Sequence, residues 1–392
     1  MPNRLIARQN DFNALCERIK AEGIVAFDTE FVAESYYRPR LCLLQFGIGD
    51  KQYGVDPFMV RDLTPWWEIM ADDETTVIVH GGREEVRFCH AITRQAPRKL
   101  VDVQVAEGLR SRGFPLSYQN LIGRVLGATV HGKETRSDWE RRPLHSSQID
   151  YALEDVEHLL DVWERQQQSL TEAGRLEWAY AEFQRFVDDI VADEDRDGWD
   201  RLPGYGRLRP REMALAQALF IWRDTEARTL DKPPRQILRD DLLVDIARRQ
   251  PKSVRELNMT RGMTRRNYQR IAADLVSVVQ EVQQIPDDQL PSRPAPGRQY
   301  PSQDDVLSRS LALALANRCN KLGLSMSLVG TTADLKHLVH WYVFDSQQGE
   351  RPKLMQGWRN EVCGQLLTDV LDGKVTLRVA DPQSEDPLDF DD

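Results

Sequence analysis

No stretch of this chain is apolar for long enough to span a bilayer, which takes ~18 to 20 residues, so a membrane protein is not expected. Cysteine is scarce. The five residues, Cys16, Cys42, Cys89, Cys319 and Cys363, are scattered and include no CxxC pair. That pattern suggests neither a disulfide framework nor a zinc site, and it suits a reducing cytoplasm. The opening Met1-Pro2-Asn3-Arg4-Leu5-Ile6 lacks the apolar core of a secretory signal, so a cytoplasmic protein is expected. Positive charge is short as well. Lys and Arg number 52 against 62 Asp and Glu, a net charge of −10, which by itself argues against a nucleic-acid partner.

What is present modifies that last inference. Between Arg207 and Gln283 stand 16 Lys/Arg and 10 Asp/Glu, a net of +6, which leaves −16 for the rest. A basic module on an acidic body suggests a polyanion partner, or else a solvated helical surface. With 41% hydrophobic and 29% charged residues, the composition is that of a soluble globular protein. The 392 residues allow two or three domains.

Along the chain, Phe12, Leu15, Cys16 and Ile19 fall at helical spacing. Short apolar segments at 23–26, 41–48, 76–80 and 100–103 read as strands, and 83–93 as a helix. Strands alternating with helices predict an α/β domain with a mixed sheet and flanking helices over 1–171. Residues 172–206 read as a connector, 207–283 as an all-helical domain, and 284–303, with five prolines, as a linker. Residues 304–375 read as a second helical domain and 376–392 as an acidic, disordered tail. Trp222-Arg223 and Trp358-Arg359 hint that the two helical regions are copies of one module.

Three places carry acids in suggestive settings. Asp28 and Glu30 in Phe27-Asp28-Thr29-Glu30-Phe31 point the same way along a strand. They form either a solvated acidic face or an oxygen-rich site for a hard divalent cation. Glu84 and Glu85 follow His80-Gly81-Gly82 at a helix start, where the helix dipole alone favours acids. Tyr151 and Asp155 are four apart and share a helix face, as they also would on a plain amphipathic helix.

Together these motifs resemble the DEDDy 3′–5′ exonucleases of the ribonuclease H-like fold, most closely the ribonuclease D branch. The resemblance rests on 27–31, on Leu41-x-Leu43-Leu44-Gln45-Phe46, and on His80-x-Gly82-x-Glu84 with Glu85. It also rests on Arg136-Ser137-Asp138-Trp139-Glu140-Arg141-Arg142-Pro143-Leu144, continuing to Gln148, Tyr151 and Asp155. It covers about residues 10–170; the basic region resembles the HRDC module, and 304–373 a second, more divergent one. It implies two Mg²⁺ or Mn²⁺ ions held by Asp28, Glu30, Glu85 and Asp155, with Tyr151 orienting the attacking water. Glu30 is also implied at the terminal 3′ hydroxyl. One position departs from the pattern, because Glu85 stands where the family usually has aspartate.

The implied activity is 3′–5′ exoribonuclease cleavage of RNA with a free 3′ end, releasing nucleoside monophosphates, as in the processing of tRNA precursors. A DNA 3′–5′ exonuclease and an inactive nucleic-acid-binding homologue are the alternatives. Candidate substrate contacts are Phe31, Tyr36, Tyr37, Arg38, His80, Arg136, Arg141 and Arg142. In the helical module they are Lys232, Arg235, Arg261, Arg265, Arg266 and Arg270.

Overall fold

The computed structural model describes residues 4–130, 137–292, 302–384 and 387–391. Arg136 and residues 293–301 of the proline-rich stretch lie outside the described residues. The chain divides into two compact units. One gathers 1–30, 43–194 and 299–392; the other gathers 31–42 and 195–298. Among the described residues no helix is long and apolar enough to cross a membrane.

The first unit is built on a six-stranded mixed sheet of β1 (Leu5–Ile6), β2 (Ile24–Val32), β3 (Arg40–Ile48), β4 (Lys51–Val55), β5 (Thr76–Val79) and β6 (Leu100–Asp102), in the order β1-β4-β3-β2-β5-β6. β2, β5 and β6 run parallel, while β3 and β4 form an antiparallel pair. The expected helix around Phe12 is α1 (Gln9–Glu22), which buries Phe12, Leu15, Cys16 and Ile19. Gly23, at φ +70°, ends it in the left-handed conformation that glycine adopts without strain, and the chain passes straight into β2. The helices α2 (Thr64–Ala71) and α3 (Arg83–Thr93) follow. Phe27 of β2 packs against Phe46, Trp66 and Trp67, with ring centroids 4.5–5.8 Å away.

By strand alternation Ala26, Asp28 and Glu30 face the other side of the sheet. Ala26 belongs to a core with α4 (Val103–Arg110), α5 (Tyr118–Leu126), α6 (Ser146–Glu157) and α7 (Leu159–Glu172). The long α8 (Leu176–Asp195) belongs to the same unit. It occupies much of the expected connector and places Ala179 and Phe183 in that core. The helices Gln303–Leu322, Thr332–Val339 and Gln365–Leu371 add Leu311, Leu315, Leu338 and Leu367 to the same buried cluster. Residues 304–375 therefore share a core with the nuclease helices. Glu182 of α8 takes both Arg359 Nη1 (2.7 Å) and Nη2 (2.8 Å), and Trp358 stacks on Trp178 at 5.6 Å.

The tail expected to lack structure forms β7 (Thr376–Val379) and β8 (Leu388–Asp391), paired antiparallel. Its composition alternates. Phe390 packs on the core, and Asp389 meets Lys321 and Arg378, so the acidic charge is locally compensated.

The second unit is helical apart from 31–42. α9 (Pro210–Thr229) packs with the helices Asp240–Arg249 and Ala272–Gln283 around Leu215, Leu219, Leu243, Ile246 and Val279. Arg223 is buried here, paired to Asp240 (2.7 Å) and the Leu238 carbonyl (2.9 Å). The Trp-Arg pairs thus share a role, since each arginine is a buried clamp of its own helical region.

Candidate active site

Asp28 and Glu30 sit on β2 beyond its last rung with β5, which ends at Ala26↔Ile78. That is the carboxyl end of the parallel strands, where open α/β sheets leave a crevice. Facing them is α6. His145 accepts from the Ser147 amide, and Gln148 reaches back to the His145 amide (2.9 Å), forming a capping box that fixes where the helix begins. Four-residue spacing then sets Tyr151 and Asp155 on one face. The Tyr118 hydroxyl donates to the Glu154 carbonyl (2.7 Å) and ties α5 to the same helix.

The helix approaches the sheet closely because Gly47 lacks a Cβ. A Cβ there would lie 2.8 Å from the Val156 carbonyl oxygen and 3.1 Å from Ala26 Cβ.

Glu85 arrives by another route. Asp102, buried at the end of β6, accepts from the amides of Gly81 (3.1 Å), Gly82 (3.2 Å) and Gln104 (2.9 Å). It thereby holds the turn that launches α3. Glu85 is buried, and its carboxylate accepts from the Thr29 hydroxyl at 2.5 Å. Thr29 faces opposite to Asp28 and Glu30, so this bond draws Glu85 toward the back of β2.

The four carboxylates nevertheless feel one another. Burial, then the charges of Glu85, Asp155 and Glu30, push the Asp28 pKa well up. Burial with Asp155 and Glu85 moves Glu30 to about 8. Burial and neighbouring Glu154 move Asp155 to about 7, against a hydrogen bond with Tyr151. Glu85 is raised by burial and eased by Thr29. Tyr151 is raised by burial and by Asp155, Glu30 and Asp28.

Among the described residues no three His, Cys, Asp or Glu side chains converge closely enough to hold an ion as they stand. The Glu85–Thr29 bond engages one carboxylate of the four. The donor chemistry still fits a hard divalent cation, because every candidate ligand is an oxygen and their mutual repulsion asks for positive charge.

The expected substrate contacts fare differently. His80 is engaged with the Leu116 carbonyl (2.9 Å) and the Gln104 amide (3.3 Å). Arg142 forks onto Asp56 (2.8 and 3.0 Å), caps the Trp139 carbonyl (2.7 Å) and stacks over Phe58 at 4.2 Å. It is thus a strut of the signature loop, with its charge spent on Asp56. Trp139 in turn lies 6.4 Å from the Tyr151 ring. Arg141 is exposed.

Tyr37, in the second unit, gives its hydroxyl to Asp224 (2.8 Å) and receives Arg228 (3.3 Å), so that hydroxyl is used in packing. The Tyr36 hydroxyl accepts from Arg40 (2.9 Å). Phe31 is half-buried there and Arg38 exposed. In the same unit Lys232, Arg261, Arg265, Arg266 and Arg270 are exposed, and Arg235 is paired with Asp240. Thr29, Asp56 and Asp102 escaped sequence reasoning. For Asp102 a usable signal existed, an aspartate closing a strand directly before a helical run.

Comparison with known proteins identifies the family and the fold. Residues 3–171 match the 3′–5′ exonuclease family model and 212–279 the HRDC domain. Ribonuclease D of Granulibacter bethesdensis is 30% identical over 382 residues, covering 96% of this chain and 94% of that protein. The chain belongs to the ribonuclease D family. Escherichia coli ribonuclease D is 27% identical over 374 residues. Its crystal structure superposes with a TM-score of 0.82 at 26% identity, covering 95% of this chain and 99% of that one. As a ribonuclease D, the protein is a 3′–5′ exoribonuclease, with a mixed-sheet exonuclease domain followed by an HRDC helical region.

Proposed function

We propose that this exoribonuclease is metal-dependent, with Asp28, Glu30, Glu85 and Asp155 holding divalent cations, Mg²⁺ or Mn²⁺ and two in number. The observation that carries it is the set of buried carboxylates whose proton affinities are raised together. Bound cations supply charge to relieve that repulsion, and Lewis acidity toward water and a phosphoryl oxygen. Tyr151 stays protonated because its pKa is pushed up. It orients the attacking water as a neutral hydroxyl held by Asp155, and is a poor base. Asp56, Arg142 and Trp139 keep the loop that supports it in place. Hydrolysis from a free RNA 3′ end would then release nucleoside monophosphates one at a time.

We further propose tRNA precursors as natural substrates, in the cytoplasm. The Escherichia coli relative is described as an exoribonuclease involved in structured RNA processing, and the exposed arginines of the basic helical unit suit such a polyanion.

The deciding experiment is release of mononucleotides from a labelled single-stranded RNA, and from DNA of the same sequence, with Mg²⁺ or Mn²⁺. Wild type and Asp28→Ala are compared. Release from RNA that needs metal and is lost in Asp28→Ala supports the proposal. Equal or better release from DNA points to the DNA exonuclease. An inert wild type that Glu85→Asp rescues identifies a binding homologue that has lost catalysis.

A further inference from the structure

At the opposite, amino end of β2, β5 and β6 the first unit holds a cavity of about 500 Å³. Its floor is apolar and aromatic, with Leu100, Trp163, Phe183 and Val187 all buried. Trp163, Tyr180 and Phe183 form a triangle of rings, with centroids 5.8–6.3 Å apart. Tyr180 is 40% exposed, a large aromatic left open on the wall. Its hydroxyl accepts from the Gln167 amide (3.3 Å), and Gln184 stands beside it with its own amide on Asp188 (2.8 Å). Arg98 and Lys99 are exposed on the rim. Neither side chain has a carboxylate partner among the described residues, although the chain carries a net charge of −10.

The chemistry is specific in kind. An aromatic floor takes a planar ring, amides take ring heteroatoms or hydroxyls, and two adjacent cations take a doubly charged phosphate. The volume is within the ~300 to 1,000 Å³ of small-molecule sites. A long apolar ligand would leave the cations idle, and inorganic phosphate would leave the rings idle.

We propose that this cavity is a second, non-catalytic site for one free nucleoside 5′-monophosphate, with the base against Tyr180 over the aromatic floor and the phosphate on Arg98 and Lys99. The inference takes from the proposed function only that such nucleotides are the product. A ribonuclease carrying this site would bind its own product away from the carboxylates. Ile24, on the cavity wall, lies four positions before Asp28 on the same strand and the same face, which gives occupancy a route to the site.

The test is calorimetric titration of the full chain with adenosine 5′-monophosphate in EDTA, which removes any cation-dependent binding at the carboxylates. Wild type, Asp28→Ala, the double variant Arg98→Ala/Lys99→Ala and Tyr180→Ala are compared. One site per chain is expected, kept in Asp28→Ala. It should be weakened at least about tenfold in the double variant, the least expected from losing charge-assisted hydrogen bonds. Tyr180→Ala should weaken adenosine together with its monophosphate. Both variants should keep wild-type hydrolysis of RNA without added nucleotide, which shows that they are folded. No binding in EDTA, or binding that the rim variants leave unchanged, overturns the proposal. Competition by a 3′-blocked RNA oligonucleotide that also loses affinity in the rim variants would assign the site to a nucleotide of the RNA chain, and would overturn the free product as its occupant. Failure of the exoribonuclease assay itself would refute the proposed function while leaving this titration readable.

Discussion

Glu85 and Thr29 decide how the carboxylate set behaves. Glutamate is one methylene longer than aspartate, and the extra reach is what lets Glu85 accept from Thr29. That bond competes with any cation for the same oxygen. Thr29→Val should therefore lower the Mn²⁺ concentration for half-maximal RNA cleavage, by roughly tenfold if the bond has the strength usual for a charged acceptor. In a Glu85→Asp background the same change should do little, because the shorter stem has already left Thr29. A metal titration of the four proteins checks this. A rise in the metal requirement of Thr29→Val would show that the hydroxyl holds Glu85 in place for the cation.

Elements account for what could and could not be read from sequence. α1, β5 and α3 lie where their periodicity put them, since their apolar faces and capping glycines are local signals. Strand alternation and four-residue helical spacing gave the directions of Asp28, Glu30, Tyr151 and Asp155, while their selection as a candidate site, with Glu85, came from the family resemblance. What was not legible is pairing over long separations. Nothing local to Arg142 says that its partner is Asp56, and nothing local to Tyr37 says that Asp224 takes its hydroxyl. The closeness of α6 to β3 was hidden likewise, because Gly47 reads as an ordinary strand residue until the Val156 carbonyl is seen above it. Gly47→Ala must push α6 outward, and a backbone carbonyl yields less easily than a side chain. Asp155 is the next residue back, so a displacement approaching 1 Å should lower kcat by up to ~10²-fold. Steady-state kinetics would show the fall in kcat. A smaller drop in Tm, of a few degrees, should accompany it, since overpacking costs about 1 to 3 kcal/mol.

At the scale of the molecule, the Glu182–Arg359 pair joins α8 to the C-terminal helices inside the shared core. Burial alone would raise the Glu182 pKa, but hydrogen bonds and charge from Arg359 and Arg185 outweigh it and hold the carboxyl at about 2. Unfolded, the same group titrates near 4.5. A depressed pKa gives stability that is complete above the unfolded value and is lost as pH falls toward the folded one. Wild type should therefore lose about 3 kcal/mol more than Glu182→Gln between pH 4.5 and 2. Urea midpoints across that range would measure it.

The same core has a consequence in time. A ribosome makes the residues up to 195 first, then the whole basic helical unit, and only afterwards the helices that add Leu311, Leu338 and Leu367 to the nuclease core. During that interval the finished sheet carries its carboxylates, but the core beneath α4 and α7 is open. The core under the nuclease helices would therefore be completed only late in synthesis.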